Sequence, residues 1–286
     1  MFAIIGIVIV LAGVVGGYLM EHGNLVVLLQ PAEVVIIFGA ALGALVTAYP
    51  PSMLKVILGG FKYVLTGKMR GKSDYMDMLK LLNEIFQKIR KDGVASIEGD
   101  IEKPQNSGIF KKYPSVMTNH HARDFITDTF RIITTTKISH SKLSLILDAE
   151  LDAQHEEMMV ASSGMAFVAE SLPGLGIVAA VLGVVITMGL MAEPPEVLGH
   201  SIGAALVGTF LGILGSYGFV GPMGKRLEKF ALDELQYMRV IKETIVAFVG
   251  GEPPQIAIEF GRRVVPVDVK PSFAELDAAL RKMKGA

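Results

Sequence analysis

Apolar positions along this chain follow two patterns. Four runs, near 1–20, 34–54, 172–192 and 199–222, carry no charge in their interiors. Each has roughly the 20 residues a helix needs to cross about 30 Å of hydrocarbon. Elsewhere the apolar residues recur at three and four, the spacing of amphipathic helices. One such helix has Ser73 as its expected cap, with Asp74 and Asp77 in the first turn and Tyr75, Leu79, Leu82, Ile85, Phe86 and Ile89 as its apolar stripe. Gly93 is expected to stop it. A short segment at 94–102 ends before Pro104, and 105–117 reads as loop with one turn of helix. A second amphipathic helix is expected over 121–133. A third begins near Ser141 and continues toward the third apolar run. Beyond Lys225 the tail reads as helix to about Val249, broken at Gly250, Gly251, Pro253 and Pro254. Pro271 and a capping box at Ser272 and Glu275 open a last short helix.

The third and fourth runs stand apart because their side chains are small. Gly174, Gly176, Ala179, Ala180 and Gly183 recur along one, and Gly208, Gly212, Gly215, Gly218 and Gly221 along the other. Such spacings let helix backbones approach closely in lipid, where apolar burial no longer drives association. The expectation is a helical hairpin that packs tightly against something else. Its few hydroxyls are Thr187, Ser201, Thr209, Ser216 and Tyr217, and its prolines, Pro173 and Pro222, stand near one end of each span.

Charge sets the topology. All 27 Lys and Arg lie in 55–142 and 225–284, and none lies in the connections at 21–33 and 193–196. By the positive-inside rule both termini and the large loop face the cytoplasm. The fold class is therefore an all-α integral membrane protein with four transmembrane helices and a large helical cytoplasmic domain. Its segments are expected at 1–54 (first two spans), 55–157 (cytoplasmic helices), 158–224 (third and fourth spans) and 225–286 (cytoplasmic tail). A net charge of -1 with 51% hydrophobic residues argues against a nucleic-acid partner. The chain has no cysteine, so it offers neither a disulfide framework nor a thiolate metal site.

Candidate chemistry is sparse. His120, His121 and Asp124 include a metal-compatible spacing, but a solvated helix face is the simpler reading. No P-loop, GxSxG or dinucleotide motif is present, and nothing supports an enzyme. No span carries an ionisable group at mid-depth; Glu33 and Glu170 are read as standing at span edges. If ions cross here, another chain must supply the carboxylate, and the small-residue hairpin would be the socket for its helix. Arg90 and Glu98, on their own, read as solvated surface.

Six stretches together carry a resemblance over nearly the whole chain: GGYLM (16–20), QPAEVVII (30–37), YMDMLKLL (75–82), ESLPGLGIVAAVLGVV (170–185), GHSIGAALVGTFLGILGSYGF (199–219) and PPQIAIEFGRR (253–263). They resemble the MotA family of flagellar motor stator subunits, within the wider MotA/TolQ/ExbB proton-channel group. The resemblance implies a homopentamer in the bacterial inner membrane around two copies of a B subunit, whose single membrane helix brings an essential aspartate. Ion passage would turn the ring, and its cytoplasmic charges would push on the rotor protein FliG. Residue by residue it implies rotor-facing charges at Arg90 and Glu98, and coupling prolines at Pro173 and Pro222. It also implies an ion pathway and partner-helix contact at Pro173, Ala180, Thr209 and Tyr217, with accessory acids at Glu150 and Glu170. No cofactor is implied beyond the translocated ion.

Ion choice turns on Ala180, where sodium-driven relatives carry threonine. Sodium shedding its water needs several oxygens, whereas a proton needs only an acceptor and a water chain. A methyl at 180 leaves Thr209 as a poor coordination shell, so protons are expected. The rival expectations are an ExbB/TolQ-type energiser of outer-membrane processes, a scaffold without ion flux, and a secondary transporter. Four spans disfavour the first, and the absence of an inverted repeat disfavours the last.

Overall fold

The computed structural model describes residues 2–284, with side chains from 3 to 283; Met1 of the first expected span and residues 285–286 of the expected tail lie outside them. The described residues are helical, with no strand among them. In chain order the α-helices of five residues or more are α1 (Phe2–Met20), α2 (Pro31–Ala48), α3 (Pro51–Thr66), α4 (Lys72–Asp92), α5 (Glu98–Glu102), α6 (His120–Thr135), α7 (His140–Met188), α8 (Pro195–Ile213), α9 (Gly221–Val249), α10 (Pro254–Val264) and α11 (Phe273–Lys284). Four stretches are long and apolar enough to cross a membrane: Ala3–Met20, Leu25–Ala48, His140–Met188 and Pro195–Val249.

The second span differs from its expected bounds of 34–54. Tyr49 precedes Pro50 and is extended, at φ -124 and ψ 139, as residues before proline tend to be. Pro51 then opens α3 from its first position, where a missing N–H costs nothing. α3 is amphipathic, burying Ile57, Gly60 and Val64. Between α8 and α9, Leu214–Val220 forms a π-helical segment in which Gly221 N–H reaches the carbonyl of Ser216.

The chain divides into two compact units, Met1–Gly67 with Glu157–Phe230, and Lys68–Glu156 with Ala231–Ala286. In the first, Ile37, Ala41, Val64, Met165, Leu172, Ala179 and Leu227 form a buried cluster. α3 packs there: a Cβ at Gly60 would meet Leu227 at 2.9 Å, and Gly164 lies against Ile57. The outward residues of the apolar stretches are large, among them Ile177, Val181, Val185 and Leu206.

The second unit is a helical bundle around Tyr75, Leu82, Phe86, Phe125, Phe130, Tyr237 and Ile241. Phe86 stacks on Phe248 with centroids 4.0 Å apart. α4 is capped two residues earlier than expected. Gly71, not Ser73, is its cap, and the Asp74 carboxylate accepts the Gly71 N–H at 2.7 Å. An aspartate at the third helical position reaches back to the cap, leaving Ser73 within the first turn. Gly93 ends α4 at φ 83, a conformation that favours glycine. α5 then folds back, with Lys88 bridging to Asp100 at 2.7 Å and the Ser107 hydroxyl donating to the same carboxylate at 2.5 Å. Residues 105–117, expected as loop with one turn of helix, hold the one-turn helix Pro114–Met117, preceded by short 3₁₀ turns at Pro104–Asn106 and Phe110–Lys112. The Ser272–Glu275 capping box is present, Glu275 accepting the Ser272 N–H at 2.7 Å.

Candidate functional site

α7 and α8 carry the small residues, and each uses them against the other. A Cβ at Gly176 would lie 2.8 Å from the Gly208 carbonyl oxygen, and one at Gly212 would lie 2.6 Å from that of Leu172. At Gly183 a Cβ would meet Ala205 at 2.7 Å. The expectation that this stripe is a socket for another helix therefore needs correcting. Most of the small side chains are consumed by close approach within the hairpin itself. Ala180 lies in that seam, 9% exposed, its backbone nitrogen 3.1 Å from where a Gly208 Cβ would be.

Glu33 also departs from expectation. It belongs to the first turn of α2 and is 8% exposed, its side chain directed into the seam. Oε2 would contact a Cβ on Gly208 at 2.5 Å, and Oε1 one on Gly183 at 3.6 Å. Oε2 is buried without a hydrogen-bond partner. The sequence placed Glu33 at a span edge because it opens a helix; its side chain reaches inward across two glycines.

The hydroxyls divide into satisfied and free. Thr47, Ser171 and Thr187 each donate to the carbonyl four residues earlier, at 2.9, 2.8 and 2.9 Å. Ser216 donates instead to the carbonyl of Ala169 on α7 at 2.6 Å. That carbonyl is the one Pro173 leaves without its usual donor, because Pro173 stands inside α7 and has no N–H. Thr209, half-buried, has no hydrogen-bond partner among the described residues, and neither has the exposed Tyr217 hydroxyl.

Three residues singled out from sequence, Glu170, Tyr217 and Pro222, line one cavity of about 460 Å³ together with Ser162, Ser216 and Lys225. Glu170 is exposed and Pro173 half-buried. The other singled-out residues lie in the second unit. Arg90, at the end of α4, and Glu98, at the start of α5, are exposed and form no ion pair among the described residues. Arg90 edges a cleft of about 290 Å³ with Phe248, Glu252, Pro253 and Pro254. Glu150, half-buried on α7, accepts from Gln154 at 3.2 Å. His120 and His121 are exposed, Asp124 pairs with Arg123 at 2.8 Å, and no group of three or more metal-ligating side chains occurs among the described residues.

Sequence reasoning missed Glu33 and Ser216. A carboxylate three residues into a helix looks interfacial, and a serine in a glycine-rich run looks incidental. The offset between Pro173 and its unpaired Ala169 carbonyl was the available signal for the second.

Two family models match the chain, Motility protein A N-terminal over residues 4–93 and the MotA/TolQ/ExbB proton channel family over residues 117–240. Among similar relatives is Motility protein A of Escherichia coli (strain K12), 38% identical over 284 residues, covering 99% of this chain and 96% of the relative. Chemotaxis protein LafT of Vibrio parahaemolyticus is 34% identical over 281 residues, 98% of this chain and 99% of that one. Among solved structures, that of C. jejuni MotAB matches with TM-score 0.78 at 19% identity over 95% of this chain and 98% of that one. The flagellar MotAB stator complex from Bacillus subtilis matches with TM-score 0.75 at 20% identity over 99% and 98%. At these identities the structural likeness concerns the fold.

Proposed function

The chain belongs to the Motility protein A family of flagellar stator subunits, and we propose that it joins a B subunit to form a proton path that drives rotation. It is a membrane protein, assigned here to the bacterial inner membrane with both termini in the cytoplasm. The assembly is a homopentamer of this chain around the B subunit's helices, and FliG on the rotor receives the torque.

One observation carries the reading: Thr209 holds an unpartnered hydroxyl on α8, whereas Thr187, the interior threonine of the apolar run on α7, is self-satisfied. A polar group left open in lipid awaits a polar group from elsewhere. The acidic side chain of a B-subunit helix supplies it. Tyr217 and Pro173 flank that helix, and Glu170 with the cavity beside it forms the cytoplasmic mouth. Pro222, which follows the π-helical segment, lets α8 and α9 flex relative to the seam. Arg90 and Glu98 face the rotor, and Glu150 is an accessory acid.

Protons rather than sodium suit this site. Ala180 contributes a methyl buried in the seam, leaving too few oxygens to replace a metal ion's water. One elementary charge crossing 100 mV releases about 2.3 kcal/mol, several times thermal energy. That exceeds a hydrogen bond to Thr209 of about 1–2 kcal/mol in lipid, so each passage can break it.

Full-length identity to Motility protein A places the ExbB/TolQ alternative second. The test is complementation of cells lacking their own A subunit, with the chain and its B subunit expressed together. Swimming is expected to return, and Thr209→Val is expected to stop rotation while membrane level and co-purification with the B subunit persist. Normal swimming of Thr209→Val would overturn the reading of the site.

A further inference from the structure

Glu33 takes no part in the mechanism above, yet it is the most anomalous side chain in the membrane unit. Its carboxyl sits between Gly183 and Gly208, where glycine leaves room for it, and Oε2 is buried without a partner. Gly208 lies inside the fourth apolar run, nine residues beyond Gly199 and so about 14 Å into it along α8.

Among the described residues no hydrogen-bond or ion-pair partner offsets a charge at that place. The neighbours contributed by α7 and α8 are glycine and alanine. Thr187, one turn from Gly183, has already given its hydroxyl to the Gly183 carbonyl. His200, the nearest titratable residue on α8, is exposed. No Lys or Arg occurs in 143–224 or before Lys55. An ionised carboxylate without a countercharge at membrane depth is costly, whereas a neutral or cation-paired one is tolerated. The closed seam therefore requires a cation on Glu33.

We propose that Glu33 is a proton-binding station on the outer half of the conduit, taking up the translocated proton before the B subunit's acidic group receives it. Glu33 opens α2, directly after the outer connection at 21–30, so its carboxyl can be loaded from that side. The cradle residue Gly208 is the chain neighbour of Thr209, the expected contact of the partner's acid. Uptake neutralises the carboxylate as the proton joins one oxygen, and release restores the charge as the proton moves on. This proposal rests on the stator reading.

The test uses the full chain with its B subunit in cells. Glu33→Gln preserves shape and hydrogen bonding but cannot carry a proton. It is expected to lower proton entry, followed with a cytoplasmic pH reporter, and rotation speed at low load by about tenfold, with membrane level and B-subunit co-purification unchanged. Glu33→Asp should recover part of the loss. Wild-type speed and flux in Glu33→Gln would overturn the proposal and assign Glu33 to packing. If Glu33→Gln fails to reach the membrane, infrared difference spectra of the purified wild-type complex between acid and alkaline buffer decide. A titrating carboxyl band that moves in Glu33→Asp supports the station; its absence refutes it. Failure of the wild-type pair to rotate anything would instead sink the stator reading itself.

Discussion

The hydroxyl of Ser216 donates at 2.6 Å to the carbonyl of Ala169, the acceptor that Pro173 deprives of its helical donor. The bond ties α7 to the π-helical segment, and the extra residue in that wider turn is what brings Ser216 round to face α7. The two helix irregularities thus compensate each other.

Removing this hydroxyl should therefore be costly only while Pro173 is present. Ser216→Ala leaves a buried carbonyl unsatisfied and should lower stability by about 1–3 kcal/mol. Pro173→Ala restores an N–H to Ala169, so in the double variant the serine should matter less. The coupling, measured by denaturant titration of the purified protein in a double-mutant cycle, should be about 1 kcal/mol or more. Strict additivity would mean the two sites are independent.

The seam makes a second distinction among glycines of similar sequence context. Gly212→Ala forces a methyl against the Leu172 carbonyl at 2.6 Å, and Gly176→Ala against that of Gly208 at 2.8 Å. Overpacking at backbone has no flexible side chain to yield, and about 1–3 kcal/mol of destabilisation is expected for each. A Cβ on Gly39 or Gly43 of α2 would meet nothing within 4 Å among the described residues. Their alanine variants should keep normal thermal stability as the isolated subunit.

Much of this was legible before any coordinates. Helix-period stripes gave α4 and α6, and Pro271 with the Ser272–Glu275 capping box gave α11, the box being formed as the spacing implied. α3 was missed because its uncharged first residues merge with the second apolar run; only Tyr49–Pro50–Pro51 marks the break. α10 was missed because Pro253 and Pro254 read as a stop, although a proline at the first helical position is also a start. The small-residue stripe was visible, but spacing alone cannot say whether it meets its own hairpin or a foreign helix. Glu33 was hidden for a related reason: burial depends on which helix lies opposite, a long-range fact that local pattern does not contain.

Arg90 and Glu98 are exposed and unpaired, while the segments bearing them are held by the Lys88–Asp100 bridge at 2.7 Å. Reversing both charges should leave expression and thermal stability within about 0.5 kcal/mol of wild type, yet impair rotation. Compensating reversals on the rotor should restore part of it, read as bead speed on tethered filaments. Unchanged torque in the double reversal would return both residues to ordinary surface.

Acid should weaken the second unit through the PPQIAIEFGRR stretch. The Arg262 hydrogen bonds hold the Glu259 carboxyl below its ordinary value of 4.5, with Arg263 adding to them; the contacts are 2.7, 2.7 and 3.0 Å. A carboxylate depressed in the folded state contributes stability above its unfolded value, and loses it as pH falls through the folded one. Glu259→Gln should therefore melt earlier than wild type at pH 7, with the two curves converging below pH 4.5. A difference independent of pH would assign the effect to packing.

Proton entry decides the central claim that this hairpin makes only part of a conduit. With a cytoplasmic pH reporter in cells held at an inward proton gradient, the chain expressed alone should give no entry above background. Co-expression with its B subunit should give entry that Thr209→Val abolishes. Entry from the chain alone, or entry indifferent to Thr209, would contradict the account.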